Sequence, residues 1–131
     1  MESQELVGSG ATILVVDDEE HLRDFLCLIL EELGHHVLVA TNGRQALELV
    51  RRCHPDLVIS DVMMPGMSGV ELCRTLKNDA AAAGDEHLHP FILTSSAGPR
   101  AAQDSQADDF LDKPYEFGQI RDTVRHWLKA A

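Results

Sequence analysis

Apolar residues along this chain fall into two alternating patterns: short unbroken runs, and longer stretches with helical spacing. The short runs are Ile13–Val16, Val37–Ala40, Leu57–Ser60, Phe91–Thr94 and Asp109–Leu111. The first four are nearly continuous in apolar residues, which predicts strands covered on both faces. Between them, Leu22, Phe25, Leu26, Ile29, Leu30 and Leu33 recur at i, i+3, i+4, i+7, and Gly34 supplies a stop. Asn42 can cap a second helix with Ala46, Leu47 and Val50 on one face. Ser68 and Glu71 form a capping-box pair ahead of Leu72, Cys73 and Leu76. The last helical stretch places Phe117, Ile120, Val124, Trp127 and Leu128 together. Residues 97–106, AGPRAAQDSQ, have little apolar periodicity and room for only about two turns of helix. Ala80 to Pro90 reads as a long loop.

Five strands alternating with helices predict an α/β fold: a doubly wound parallel sheet between two helical layers, joined by right-handed crossovers. In such sheets ligands bind at the carboxyl ends of the strands. With strand order 2-1-3-4-5, the ends of strands 1 and 3 meet at the switch point.

Composition narrows the picture. The chain has 131 residues, 44% of them hydrophobic, which suits one globular domain. No apolar run approaches the roughly 18 residues that span a bilayer. The opening MESQELVGSGAT is not a secretory signal; residues 1–10 are expected to be a flexible tail ahead of a domain at 11–131, in the cytoplasm. No second domain or linker is expected within these residues. The formal net charge of −11 disfavours nucleic acid and anionic membrane, and permits basic partner surfaces or metal ions. Cys27, Cys53 and Cys73 sit at apolar positions of helical patterns without metal-ligand spacing, and are expected to be small buried hydrophobes.

The candidate chemistry begins at ILVVDDEE, where an apolar strand runs into four consecutive carboxylates. Their mutual repulsion calls for open solvent or a cation. Glu19 and Glu20 suit a solvated helix start, where the dipole favours negative charge. Asp17 and Asp18 are joined at the rim by Asp61 after strand 3, Thr94 at the end of strand 4 and Lys113 after strand 5. Singly, each could be a turn or cap residue; together, at the same end of four strands, they define one site. Hard carboxylate oxygens suit Mg2+, and a carboxylate beside a metal, a lysine and a hydroxyl suits phosphoryl transfer. Asp61, alone at the end of the central strand, is the candidate nucleophile; the adjacent Asp17 and Asp18 suit metal ligation.

At these residues the chain resembles the receiver domain of bacterial two-component response regulators. ILVVDDEE, LVISDVMMPGMSGVEL, ILTSSA and QADDFLDKPYE resemble that family's successive motifs, over roughly residues 11 to 129. The resemblance implies a flavodoxin-like (βα)5 fold like that of single-domain chemotaxis regulators. It implies phosphorylation of Asp61 by a sensor histidine kinase or phosphotransfer protein. It further implies Mg2+ held by Asp18, Asp61 and the backbone carbonyl of Met63, with Asp17 acting at least through water. Thr94 and Lys113 would contact the phosphoryl group, and Phe110 matches the family's aromatic switch position, although an aromatic there also suits a strand core. Phosphorylation would shift the face of the fourth crossover, strand 5 and last helix toward a downstream protein target, a face through which a weak homodimer could also form. The protein would be a signalling phosphoacceptor, assisting only its own phosphorylation and dephosphorylation.

Departures from the family pattern accompany these implications. The segment between Thr94 and Asp108 is short, QADD replaces GADD, and no output domain follows the last helix within these residues. Met63, two residues after Asp61, cannot orient an attacking water, which predicts a long-lived phosphoryl group. A phosphatase of the haloacid dehalogenase type would need an aspartate at that position, and an FMN carrier would need a phosphate loop where DDEE stands. A receiver-like interaction module that works without phosphorylation is the remaining alternative.

Overall fold

The computed structural model describes residues 10–84, 90–102 and 105–128. Five strands, β1 (Thr12–Val16), β2 (His36–Ala40), β3 (Leu57–Asp61), β4 (Phe91–Ser95) and β5 (Asp109–Asp112), form one parallel sheet in the order β2-β1-β3-β4-β5. The described helices are α1 (Glu20–Glu32), α2 (Gly43–Cys53), α3 (Gly69–Ala82) and α4 (Phe117–Leu128). The expected flavodoxin-like, doubly wound α/β architecture and strand order are those observed.

Alternation along each strand builds two cores. Ile13, Val15, Leu57, Ile59, Ile92 and Leu111 face α1 and α4, where Leu26, Ile29, Leu30, Ile120 and Val124 cover them. Leu14, Val16, Val58, Phe91 and Leu93 face α2 and α3, against Ala46, Val50, Leu72 and Cys73. β2 departs from the expected two-sided burial because it is a sheet edge: Val39 is 39% exposed.

Local signals set the helix ends. The Ser68 hydroxyl accepts from Glu71 N (3.1 Å) while the Glu71 carboxylate accepts from Ser68 N (2.9 Å), the predicted capping box. Asn42 caps α2 by accepting from Gln45 N at 2.8 Å. α1 ends at Gly34, whose φ of 94° admits paired bonds from Gly34 N to Glu31 O and from His35 N to Leu30 O. α3 runs through Ala82, so the loop expected from Ala80 starts later: an alanine run has high helix propensity but no apolar period to reveal it. Phe25 (41% exposed) and Phe117 (43%) sit at the margins of their predicted apolar faces. Cys73 is buried and Cys27 half-buried, but Cys53 is exposed in the last turn of α2, contrary to expectation. In the fourth crossover the described residues form a single 3-10 turn, Pro99–Ala102, in line with its weak pattern. Residues 1–9 of the expected 1–10 tail, and loop residues 85–89, lie outside the described residues.

Candidate functional site

The two-residue period of the strands delivers the site. Counting outward from Ile59 and Ile92, Asp61 and Thr94 continue the row that faces α1 and α4. The same count, carried one residue past β1 and β5, reaches Asp17 and Lys113. Asp61 and Thr94 are directly opposed across β3 and β4, and both are buried, at 8% and 1% exposure. The Lys113 ammonium lies 3.0 Å from Asp17 Oδ2 and 3.3 Å from Asp61 Oδ2, bridging the ends of three strands.

Each group is held by local chemistry. Asp17 Oδ1 accepts from Glu19 N at 2.9 Å, closing the turn into α1, and the Arg23 guanidinium donates to Asp17 O at 2.9 Å. Both Asp17 carboxylate oxygens are therefore engaged. Asp18 is exposed, as are Glu19 and Glu20 at the helix start, in agreement with the solvated reading of that pair. Asp61 Oδ1 accepts a long 3.4 Å bond from Met63 N. Lys113 is fixed through its backbone, Lys113 N donating to Ser95 O at 2.9 Å.

Gly69, which was not among the residues singled out from sequence, lets α3 approach this rim. A Cβ there would collide with the Asp61 carbonyl oxygen and come 2.9 Å from Leu93 Cδ2, while Gly69 N donates to Val62 O at 2.8 Å. Its signal in the sequence is a glycine directly behind the Ser68 cap, where most residue types would otherwise serve. Phe110 is not brought to the rim. It stands opposite Leu93 on β5, half-buried against the α2–α3 core, on the other sheet face from Thr94.

Burial raises the Asp61 carboxyl above its usual range; the Lys113 ammonium opposes this and the neighbouring Asp17 adds to it. The site therefore carries more buried negative charge than one lysine offsets. Oxygen atoms of Asp17, Asp18 and Asp61 all lie within 4.8 Å of one another. A small hard dication fits this donor set on charge, ligand type and spacing. Glu19, Leu22, Met63, Ser96 and Pro114 wall an open cleft of about 370 Å3 over Asp61 and Lys113, room for a phosphoryl group to enter.

A doubly wound parallel sheet with an acidic, lysine-bridged rim at its switch point defines a class of small signalling domains with a phosphoacceptor-type pocket. The response regulator receiver domain profile matches residues 13–125, and the chain belongs to that family, whose members act in two-component systems. It is 35% identical over 121 residues to the DNA-binding response regulator MtrA of Mycolicibacterium paratuberculosis, covering 89% of this chain and 51% of that protein. The chain thus spans about half the length of the curated relatives it matches. Among solved structures, the receiver domain of a signal transduction histidine kinase from Syntrophus aciditrophicus superposes with a TM-score of 0.80 at 36% identity, covering 93% of this chain and 92% of that one. Response regulator TrrA of Thermotoga maritima, solved in complex with Mg2+-BeF, superposes with a TM-score of 0.79 at 30% identity, covering 89% of this chain and 98% of that one. No described helix is long and apolar enough to cross a membrane.

Proposed function

We propose that Asp61 is the phosphoacceptor, taking a phosphoryl group from a phosphohistidine of a sensor histidine kinase or phosphotransfer protein. An Asp61 carboxylate oxygen attacks phosphorus, the phosphorus–nitrogen bond breaks, and the imidazole leaves with the electron pair and takes up a proton. The observation that carries this reading is the Lys113 bridge: one cation shared by two buried carboxylates, with Asp61 raised in pKa. Asp18, Asp61 and the Met63 carbonyl would hold Mg2+. Asp17, with both oxygens already engaged, acts at least through water. The metal supplies charge neutralisation on the phosphoryl oxygens. Lys113 contacts the phosphoryl group from the β5 side, and the Thr94 hydroxyl donates to it from β4.

The phosphoryl charge then biases Thr94 and the chain that follows it. Phe110 lies one register step from Thr94, on the opposite sheet face, so a shift at Thr94 has a path to the surface formed by the fourth crossover, β5 and α4. That surface is the proposed contact for a downstream protein target or a weak homodimer. The chain acts in the cytoplasm as a phosphoacceptor that assists only its own phosphorylation and dephosphorylation, away from membrane. The acidic charge argues against nucleic acid contact by these residues; MtrA, a DNA-binding response regulator, is a protein of which this chain spans about half.

One observation favours a second reading, a phosphorylation-independent interaction module: the described part of the fourth crossover is a single 3-10 turn. Two-dimensional amide NMR separates the two. With Mg2+ and then beryllofluoride, shifts at Asp61, Met63, Thr94 and Lys113 should spread to Phe110 and α4. Shifts that stop at the rim would favour the second reading, and no shifts at all would remove the phosphoacceptor assignment.

A further inference from the structure

On the other side of the sheet's carboxyl end, the β2–α2 turn and the β3–α3 loop enclose a groove of about 910 Å3, at the upper end of ligand-site volumes. Its floor is tight: a Cβ at Gly43 would lie 2.8 Å from Met67 Cβ and Sδ, so Met67 packs directly on the Gly43 backbone. Arg44 from α2 and Arg74 from α3 line it. Among the described residues neither guanidinium has a carboxylate partner, although the chain carries a net charge of −11. The groove's own carboxylate, Glu71, has an oxygen occupied by the Ser68 backbone. Arg44 also stands in the first turn of α2, where the helix dipole disfavours a cation. Arg44 thus carries a small dipole cost that no carboxylate among the described residues offsets.

We propose that this groove docks an acidic segment of a partner protein. Arg44 and Arg74 would take its carboxylates in forked hydrogen bonds, with apolar residues between them seated on Met67 and Pro65. Carboxylates suit this chain better than a polyphosphate: its overall negative field repels a ligand in proportion to the ligand's charge, whereas two guanidiniums need only two carboxylates. The inference stands apart from the chemistry at Asp61, and its test runs in EDTA without phosphodonor.

The probe is a fluorescein-labelled glycine-serine decapeptide carrying one glutamate on each side of two central leucines, so that its two carboxylates match the two guanidiniums, titrated with the full chain by anisotropy at about 50 and 150 mM salt. Saturable binding should weaken roughly a hundredfold in Arg44→Glu with Arg74→Glu, and less than about twofold in Arg52→Glu with Arg125→Glu, which are exposed arginines elsewhere. Circular dichroism checks that both pairs fold. Amide shifts of the parent chain should centre on Gly43, Gly66 and Thr75. No saturable binding, an equal loss in the control pair, or shifts scattered over the surface would overturn the proposal. So would tighter binding of a ten-nucleotide oligothymidine or of inorganic phosphate, by reassigning the groove to another ligand class.

Discussion

Replacing Asp61 by asparagine should make the metal-free domain more stable, while removing the proposed acceptor. Asp61 Oδ2 lies 3.3 Å from the Lys113 ammonium, an attraction of roughly 5 kcal/mol at an effective dielectric constant of about 20. Asp17 presents an oxygen within 4.8 Å, a repulsion of at least roughly 3.5 kcal/mol on the same scale. The two pair terms favour the carboxylate by at most roughly 1.5 kcal/mol. Burial acts the other way and wins, since the Asp61 pKa is raised and desolvation is the first cause. Desolvating a carboxylate costs several kcal/mol, so ionised Asp61 destabilises the fold by about 1–2 kcal/mol. A raised native pKa means that the folded state keeps this proton longer than the unfolded chain. The penalty is therefore absent well below the ordinary value of 3.8, grows as pH rises through the native pKa, and is constant above it. Urea unfolding in EDTA, followed by far-ultraviolet circular dichroism, should find Asp61→Asn more stable at pH 7.5 by about 1–2 kcal/mol. The gap should narrow toward pH 4, and millimolar Mg2+ should stabilise the parent more than the variant. A variant less stable than the parent at pH 7.5, or a gap independent of pH, would refute the reasoning.

Three further outcomes are expected. Gly69→Ala should cost about 2–3 kcal/mol in urea unfolding, because the new Cβ meets the backbone of Asp61 and not a movable side-chain tip. His35 Nδ1 accepts from Ala11 N at 3.1 Å, and burial, opposed by Asp56, lowers its pKa. Stability should thus fall as pH drops from about 6.5 through the lowered native value, and His35→Asn, which can present an acceptor without titrating, should flatten that limb by up to about 1 kcal/mol. Met63→Asn should speed loss of the phosphoryl group at least about tenfold in a timed dephosphorylation assay, since an amide can orient the attacking water; an unchanged rate would count against the role assigned to Met63.

What was readable in advance follows the range of each signal. Short apolar runs marked all five strands, four of them nearly continuous, and the carboxyl ends of those runs together with the strand order placed Asp17, Asp18, Asp61, Thr94 and Lys113 at one rim. The Ser68–Glu71 box and the Asn42 cap were equally local. Val39, Phe25 and Phe117 escaped because exposure depends on which neighbour covers a face, and β2 is an edge. The contact of Lys113 with Asp17 joins residues 96 positions apart. Strand order implied that neighbourhood, but not that one ammonium would hold both Asp17 and Asp61. Gly69 was missed because its reason is a carbonyl on another element, and the continuation of α3 to Ala82 because alanine carries propensity without periodicity.

The central claim is that Asp61 accepts a phosphoryl group. Incubation with Mg2+ and acetyl phosphate, followed by intact mass spectrometry, tests it most directly. One phosphoryl adduct is expected, absent from Asp61→Asn and absent without Mg2+. No adduct on a folded chain, with a histidine kinase also failing to transfer phosphate, or an adduct that persists in Asp61→Asn, would contradict it.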